Sequence, residues 1–282
     1  VKILLTGKDG QVGWELARLL PALGEVAAFS RAELDLANPD QIVDRVRAVK
    51  PDVVVNAAAY TAVDKAETDR EQAMLVNAAG PGFLAAEAQA RGALLVHYST
   101  DYVFDGTKTS PYVETDPTNP LSAYGQSKLA GERAIQAVGG RHLIFRTSWV
   151  YAARGRNFLL TMLKLGREKP VLRVVDDQRG APTWAQDIAA TTVELLRRRD
   201  PASGIYHLTA GGDTTWCGFA REIFRLAGIA TPVEPITTGD YPTPARRPAY
   251  SVLSNGKLAR AFGLAMPEWR ASLERCLKER AA

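Results

Sequence analysis

Short apolar runs alternate with amphipathic stretches of helical period along the first half of the chain. The runs cover residues 3–6, 25–29, 53–56, 94–98 and 143–146, each bounded by turn residues, and read as buried strands. Helical patterns lie between them, over residues 12–20, 39–49, 67–77, 80–91 and 123–137. Such alternation predicts an α/β fold in which helices cover both faces of a parallel sheet. Right-handed crossovers then make the sheet doubly wound, of Rossmann type.

The pattern changes beyond about residue 150. Pro170, Pro182, Pro201, Pro232, Pro235, Pro242, Pro244 and Pro248 interrupt shorter elements, and proline is poorly tolerated inside regular helices and central strands. The expected organisation is a wound-sheet domain over residues 1–150 and a smaller C-terminal α/β domain over residues 151–282. A helix at 186–199 is expected to return to the first domain.

The first strand runs into Gly7-Lys8-Asp9-Gly10-Gln11-Val12-Gly13. Gly7 permits a sharp turn, Gly10 lets the backbone approach a pyrophosphate, and Gly13 lets the following helix pack closely on the strand. The helix start at Gln11 and Val12 offers free N–H groups and a positive dipole end to phosphates. This predicts a dinucleotide site and makes residues 1–150 the cofactor domain. The second strand ends at Ser30-Arg31, where an NAD-specific site usually carries an acidic residue. Ser30 and Arg31 suit a ribose 2′-phosphate, so the expected cofactor is NADPH with NADH as the alternative. A solvated surface charge is the competing reading of Arg31. Asp35 and Leu36 follow in the next turn, positioned for the adenine. Ala57, Ala59, Tyr60 and Thr61, after the third strand, leave room for a flat cofactor, and Tyr98 is placed against it from the fourth.

Tyr124 and Lys128 are four residues apart on a predicted helix, so phenol and ammonium share a face. A free tyrosine titrates near pH 10, and a neighbouring cation favours its phenolate. Thr100 ends the fourth strand and is placed to hydrogen-bond a carbonyl oxygen. Reduction of a ketone needs a hydride on one face and a proton on the developing alkoxide. Tyr124 is assigned the proton, Lys128 its tuning and the nicotinamide ribose, and Thr100 the carbonyl.

With these motifs in place, the chain resembles the extended short-chain dehydrogenase/reductase family. The resemblance rests on residues 7–16, 56–67, 97–104, 124–132, 142–151, 177–183 and 241–248. It implies reduction of the C4 ketone of a dTDP-linked 6-deoxy-4-keto-hexose, with Thr100, Tyr124 and Lys128 catalytic. It also implies sugar contacts from Asp101, Val103 and Trp149, and diphosphate or structural contacts from Arg246 and Arg247. A homodimer is a further family expectation. Some relatives bridge dimers with Mg²⁺ through carboxylates. Glu15 matches one such position, but Gln186 stands where a Glu occurs in others, and a neutral amide is a poorer Mg²⁺ ligand. No metal site is therefore expected. Two alternatives remain open: a nucleotide-sugar epimerase or dehydratase of the same fold, and a non-catalytic NADP-binding regulatory subunit. Tyr102 follows Thr100-Asp101 where dehydratases carry Glu, which disfavours elimination.

Composition adds bounds to this picture. The 282 residues carry 46% hydrophobic and 23% charged side chains and a net charge of +4, ordinary for a globular enzyme. Basic residues are dispersed rather than blocked, which disfavours a nucleic-acid partner. No apolar run approaches a membrane span, and no leader-like pattern precedes the first strand. Cys217 and Cys276 lack metal-ligand spacing and suit a reducing cytoplasm. His97, His142 and His207 have no partner at ligand spacing and read as structural.

Overall fold

The computed structural model describes residues 1–198 and 200–281. Strands β1 (Lys2–Thr6), β2 (Glu25–Phe29), β3 (Val53–Asn56), β4 (Leu94–Thr100) and β5 (His142–Thr147) fall on the five apolar runs. Short strands follow: β6 (Val150–Tyr151), β7 (Leu172–Val175), β8 (Arg179–Gly180), β9 (Thr183–Trp184), β10 (Gly204–His207), β11 (Thr214–Thr215) and β12 (Val233–Ile236). The helices are α1 (Gln11–Leu19), α2 (Pro39–Val49), α3 (Arg70–Met74), α4 (Gly80–Ala90), α5 (Ala123–Val138), α6 (Phe158–Glu168) and α7 (Ala185–Leu196). They continue with α8 (Trp216–Ala227), α9 (Gly256–Phe262) and α10 (Trp269–Ala281).

The expected parallel sheet is present, with six strands in the order β10-β5-β4-β3-β1-β2. From β1 the chain builds outward to β2 on one side, then continues with β3 on the other. The direction therefore switches between β1 and β3, where open α/β sheets bind ligands. Alternation along β1 supplies both faces. Ile3 and Leu5 pack with Leu16 of α1, Leu20 just after it, and Ile188 and Val193 of α7. Leu4 points the other way, toward Ile42 and Val46 of α2 and Leu84 and Ala88 of α4. Each such leucine or isoleucine contributes about 1.5–3 kcal/mol by leaving water.

A separate apolar cluster lies beyond residue 150. It joins Leu159, Met162 and Leu163 of α6 to Phe219 and Ile223 of α8 and to Trp269 and Leu273 of α10. α7 packs against α1; the end expected for this helix at Arg199 lies outside the described residues. β10 also joins the central sheet, beside β5, from a stretch that the proline-rich pattern grouped with the second unit.

The helix expected at 67–77 is broken in three. A 3₁₀ turn (Lys65–Glu67) precedes α3, and a π turn (Leu75–Ala79) joins α3 to α4. The side chain of Asn77, in that π turn, accepts from Tyr60 N at 2.8 Å and donates to Tyr60 O and Ser127 Oγ, each at 3.0 Å. These three bonds tie the loop after β3 to α5, and the wider π turn accommodates them.

Candidate active site

The glycine loop is shaped by close approaches. Gly7 has φ +72°, and a Cβ there would lie 2.7 Å from Ala58 main-chain atoms; a Cβ on Gly13 would lie 2.0 Å from Gly7 O. Any larger residue at either position would push β1, α1 and the loop after β3 apart. The N-terminus of α1 carries no side-chain cap, which leaves its first-turn amides available to an anion.

A cleft of ≈ 520 Å³ opens at the carboxyl ends of the central strands. Of the sequence-predicted cofactor residues, Gly7, Gly10, Gln11, Val12, Arg31, Asp35 and Leu36 line it, with Ala57, Ala59, Tyr60, Thr61, Tyr98, Tyr124 and Lys128. Gly13 is the packing contact just described rather than a wall. Ser30 is also absent from the lining, and its N–H donates to Glu33 at 2.7 Å. The Arg31 side chain is 75% exposed and makes a 3.6 Å ion pair to Asp35, so its guanidinium is accessible.

Sequence reasoning missed part of the wall. Leu34, Val76, Ser99, Thr147, Val150, Arg154, Gly155 and Arg156 also line the cleft. Arg154 lies 4.2 Å from the centre of the Trp14 ring, a cation–π contact that holds it beside the glycine loop. Arg154-Gly155-Arg156 is a legible signal in retrospect: two cations flank a flexible residue just past a strand end. The uncapped amides, the close-packed glycines and these arginines together fit a dinucleotide with its phosphates on α1.

Thr100, Tyr124 and Lys128 are carried by β4 and α5. Ser122 caps α5 by accepting from Gly125 N at 3.2 Å, so the helix starts just before Tyr124. Lys128 is buried and donates to Tyr98 O at 2.6 Å. Burial lowers its proton affinity to a pKa of about 8, opposed by the Glu132 carboxylate. Burial raises the Tyr124 phenol to about 12, while a hydrogen bond with Thr100 acts in the opposite direction. Thr100 Oγ1 donates to Asp101 Oδ1 at 3.1 Å and accepts from Tyr102 N at 3.2 Å. Asp101 is buried with Oδ2 unpartnered, and burial raises its carboxyl to about 7, opposed by the nearby Ser251 and Thr100 hydroxyls. Tyr102 meets Tyr124 edge-on, ring centres 6.0 Å apart; burial pushes its phenol above the ordinary range.

The resemblance-derived sugar contacts separate. Trp149 has φ +46° and stacks on Trp216 with centres 3.6 Å apart and planes at 6°. Val103 is fully buried among Phe104, Tyr112, Leu129 and Leu253, so its side chain belongs to packing. Arg247 pairs with Asp64 at 2.8 Å and clamps the C-terminal segment to the loop after β3, the structural option for this residue. Arg246 is exposed and is not part of the cleft lining.

Glu15 is buried, accepts from Arg18 at 3.1 Å, and is raised in pKa chiefly by burial, then by Glu279. Arg18 also approaches Glu279 at 3.8 Å, and Gln186 brings no charge. Among the described residues no three His, Cys, Asp or Glu side chains are grouped to hold a metal.

The family model described as the RmlD substrate binding domain matches residues 1–282. A dTDP-4-dehydrorhamnose reductase of Burkholderia thailandensis is 53% identical, covering 99% of each chain. A crystal structure of a dTDP-4-dehydrorhamnose reductase from Clostridium acetobutylicum superposes with a TM-score of 0.96 at 42% identity, covering 100% of both chains. The Bacillus anthracis counterpart, solved in complex with NADP, gives 0.95 at 36% identity over 98% of each.

Proposed function

Since the chain belongs to the family described by the RmlD substrate binding domain, we propose that it is a dTDP-4-dehydrorhamnose reductase, an NADPH-dependent oxidoreductase. It reduces the C4 ketone of dTDP-4-dehydro-L-rhamnose (dTDP-6-deoxy-L-lyxo-4-hexulose) to dTDP-L-rhamnose. The observation that carries this reading is that Tyr124 and Lys128 line the cleft that begins on the glycine loop, with Thr100 against the Tyr124 phenol.

NADPH, when bound, supplies the hydride. The chain supplies the rest. Amides at the start of α1, with Arg154 and Arg156, bind the pyrophosphate. Arg31 takes the 2′-phosphate, and Asp35 and Leu36 border the adenine. Thr100 donates to the ketone oxygen, and Tyr124 gives its proton to that oxygen as negative charge develops. Lys128 lowers the cost of the phenolate left behind and holds the nicotinamide ribose. Asp101 and Trp149 are assigned to the sugar, and the apolar cluster beyond residue 150 to the substrate-binding unit.

Self-association is part of the proposal. Met74, Leu75 and Phe83 are exposed beside a shallow apolar groove that includes Ala78, Gly82, Ala86 and Ala134. A second copy laid on this face of α3, α4 and α5 would cover them, and analytical ultracentrifugation would show a homodimer. The reaction requires no nucleic-acid or membrane partner. Among the described residues no helix is long and apolar enough to cross a membrane. Two buried free cysteines suit the cytoplasm, where such thiols stay reduced.

The deciding assay supplies NADPH and dTDP-4-dehydrorhamnose generated in situ, and follows NADPH absorbance together with product. Stoichiometric oxidation with dTDP-L-rhamnose formed is expected. Binding without oxidation would mean a regulatory NADP module, and an isomerised sugar without net oxidation would mean an epimerase.

A further inference from the structure

Four buried side chains form a line from the first strand to the catalytic helix: Thr6, Asn56, His97 and Lys128. Thr6 Oγ1 donates to Asn56 Oδ1 at 2.6 Å, and the main-chain N–H of Ala58 donates to the same oxygen at 3.2 Å. The same N–H also lies 3.4 Å from Thr6 Oγ1; a backbone amide only donates, and its shorter approach to the Asn56 side chain places the oxygen on that side. That turns the Asn56 NH₂ toward His97 Nδ1, 2.9 Å away. An NH₂ also only donates, which makes Nδ1 the acceptor. The single proton of a neutral ring is then on Nε2. Nε2 lies 3.2 Å from Lys128 Nζ. An ammonium has no lone pair, so it would meet this N–H donor to donor; a neutral amine would accept it.

We infer that Asn56 and His97 are positioning residues which fix the Nε2–H tautomer and thereby make the Lys128 ammonium easier to deprotonate. The inference deepens the reductase reading, in which Lys128 partners Tyr124, and its kinetic arm rests on that reading. Other groups around the ammonium do not supply this donor. Tyr124 and Glu132 come from its own helix. Glu132 favours the cation, but it is held in a buried two-bond pair by Arg146 of β5, at 2.9 and 2.7 Å. His97 itself is kept neutral, first by burial and then by the Lys128 charge. The line therefore acts through a hydrogen-bond direction that a neutral imidazole transmits across its ring.

Two measurements on the full-length protein test this. Long-range ¹H–¹⁵N correlation resolves the three histidines and should show His97 neutral with its proton on Nε2. A proton on Nδ1, or on both nitrogens, would overturn the inference without any appeal to activity. The second uses Asn56→Asp, nearly the same shape, whose carboxylate accepts from Nδ1–H and leaves Nε2 free to accept from the ammonium. The His97 signal should switch to the Nδ1–H pattern. The alkaline limb of kcat/KM should move up by about one pH unit, a tenfold change in the proton equilibrium. A limb that stays in place, or one that moves while the tautomer does not, sinks the idea. A purely structural Asn56 would lower activity equally at every pH. Absence of NADPH oxidation in the unmodified protein would count against the reductase reading and leave the tautomer result standing.

Discussion

Lys128 Nζ donates to the main-chain oxygen of Tyr98 at 2.6 Å, a bond that crosses from α5 to β4. It fixes how deeply the ammonium sits beneath the Tyr124 face of the helix. A long, flexible side chain is thereby held at one place without a carboxylate partner. The full negative charge of an ion pair would have raised its proton affinity; a carbonyl dipole ties it down with less effect.

Lys128→Met separates chemistry from stability. Turnover should fall by about 10²–10⁴-fold, the usual worth of a positioned acid–base group. The fold should be no less stable, because an apolar side chain of similar length replaces a buried cation that has no carboxylate bonded to it. Steady-state kinetics and thermal melts check both; a turnover loss explained by unfolding would remove Lys128 from the mechanism.

Tyr124→Phe keeps the ring against Tyr102 and deletes only the hydroxyl. Turnover should drop by about 10²-fold or more, with NADPH affinity largely retained. Fluorescence titration of NADPH beside the rate assay measures the two. Near-normal turnover would assign the proton to another group.

Asp101→Asn should stabilise the protein in a pH-dependent way. Folding raises this carboxyl from its usual acidic value to about 7, so the folded state binds more protons than the unfolded state between those values. Stability is then greatest below the unfolded pKa and falls as pH rises to about 7. The neutral amide removes that loss. The gain in melting temperature should be largest at pH 8 and shrink steadily toward pH 5. A gain independent of pH would mean that Asp101 is not the titrating group.

Arg31→Ala tests cofactor choice. Its exposed guanidinium makes a loose pair with Asp35, so removal should leave the fold intact. KM for NADPH should rise about tenfold, the loss of one charge-assisted contact to phosphate, while KM for NADH stays put. Equal changes for both cofactors would return Arg31 to the solvated surface.

The wound sheet was legible because β1, β3 and β4 are buried on both faces and so read as unbroken apolar runs. Tyr124 and Lys128 were legible because four-residue spacing on a helix is local geometry. What escaped depends on distant partners. The π turn at Leu75–Ala79 accommodates Asn77 bonds to Tyr60 and Ser127, which no local periodicity encodes. β10 is four residues long and joins the sheet only through its pairing with β5. His97 looked like an ordinary strand histidine, and its significance comes from lying between Asn56 and Lys128, 41 residues before it and 31 after.

Gly180→Ala probes the sugar side without touching the acid–base group. Trp149 holds a left-handed backbone, φ +46°, a cost of order 1–3 kcal/mol for a bulky residue that its surroundings must sustain. The stack on Trp216 is one restraint, and the bare Cα of Gly180 is another: a Cβ there would lie 2.6 Å from the Trp149 ring. Gly180 itself has no left-handed φ, so alanine fits the local backbone and its methyl must displace the indole. Overpacking of this kind costs about 1–3 kcal/mol, read as a lower melting temperature. If Trp149 contacts the sugar, KM for the keto sugar rises about tenfold, the effect of a misplaced contact worth 1.4 kcal/mol. NADPH affinity, set on the glycine loop and α1, stays unchanged by calorimetric titration. A lower melting temperature with an unaltered sugar KM would make the Trp149–Trp216 stack a packing element and move the sugar site elsewhere along the cleft.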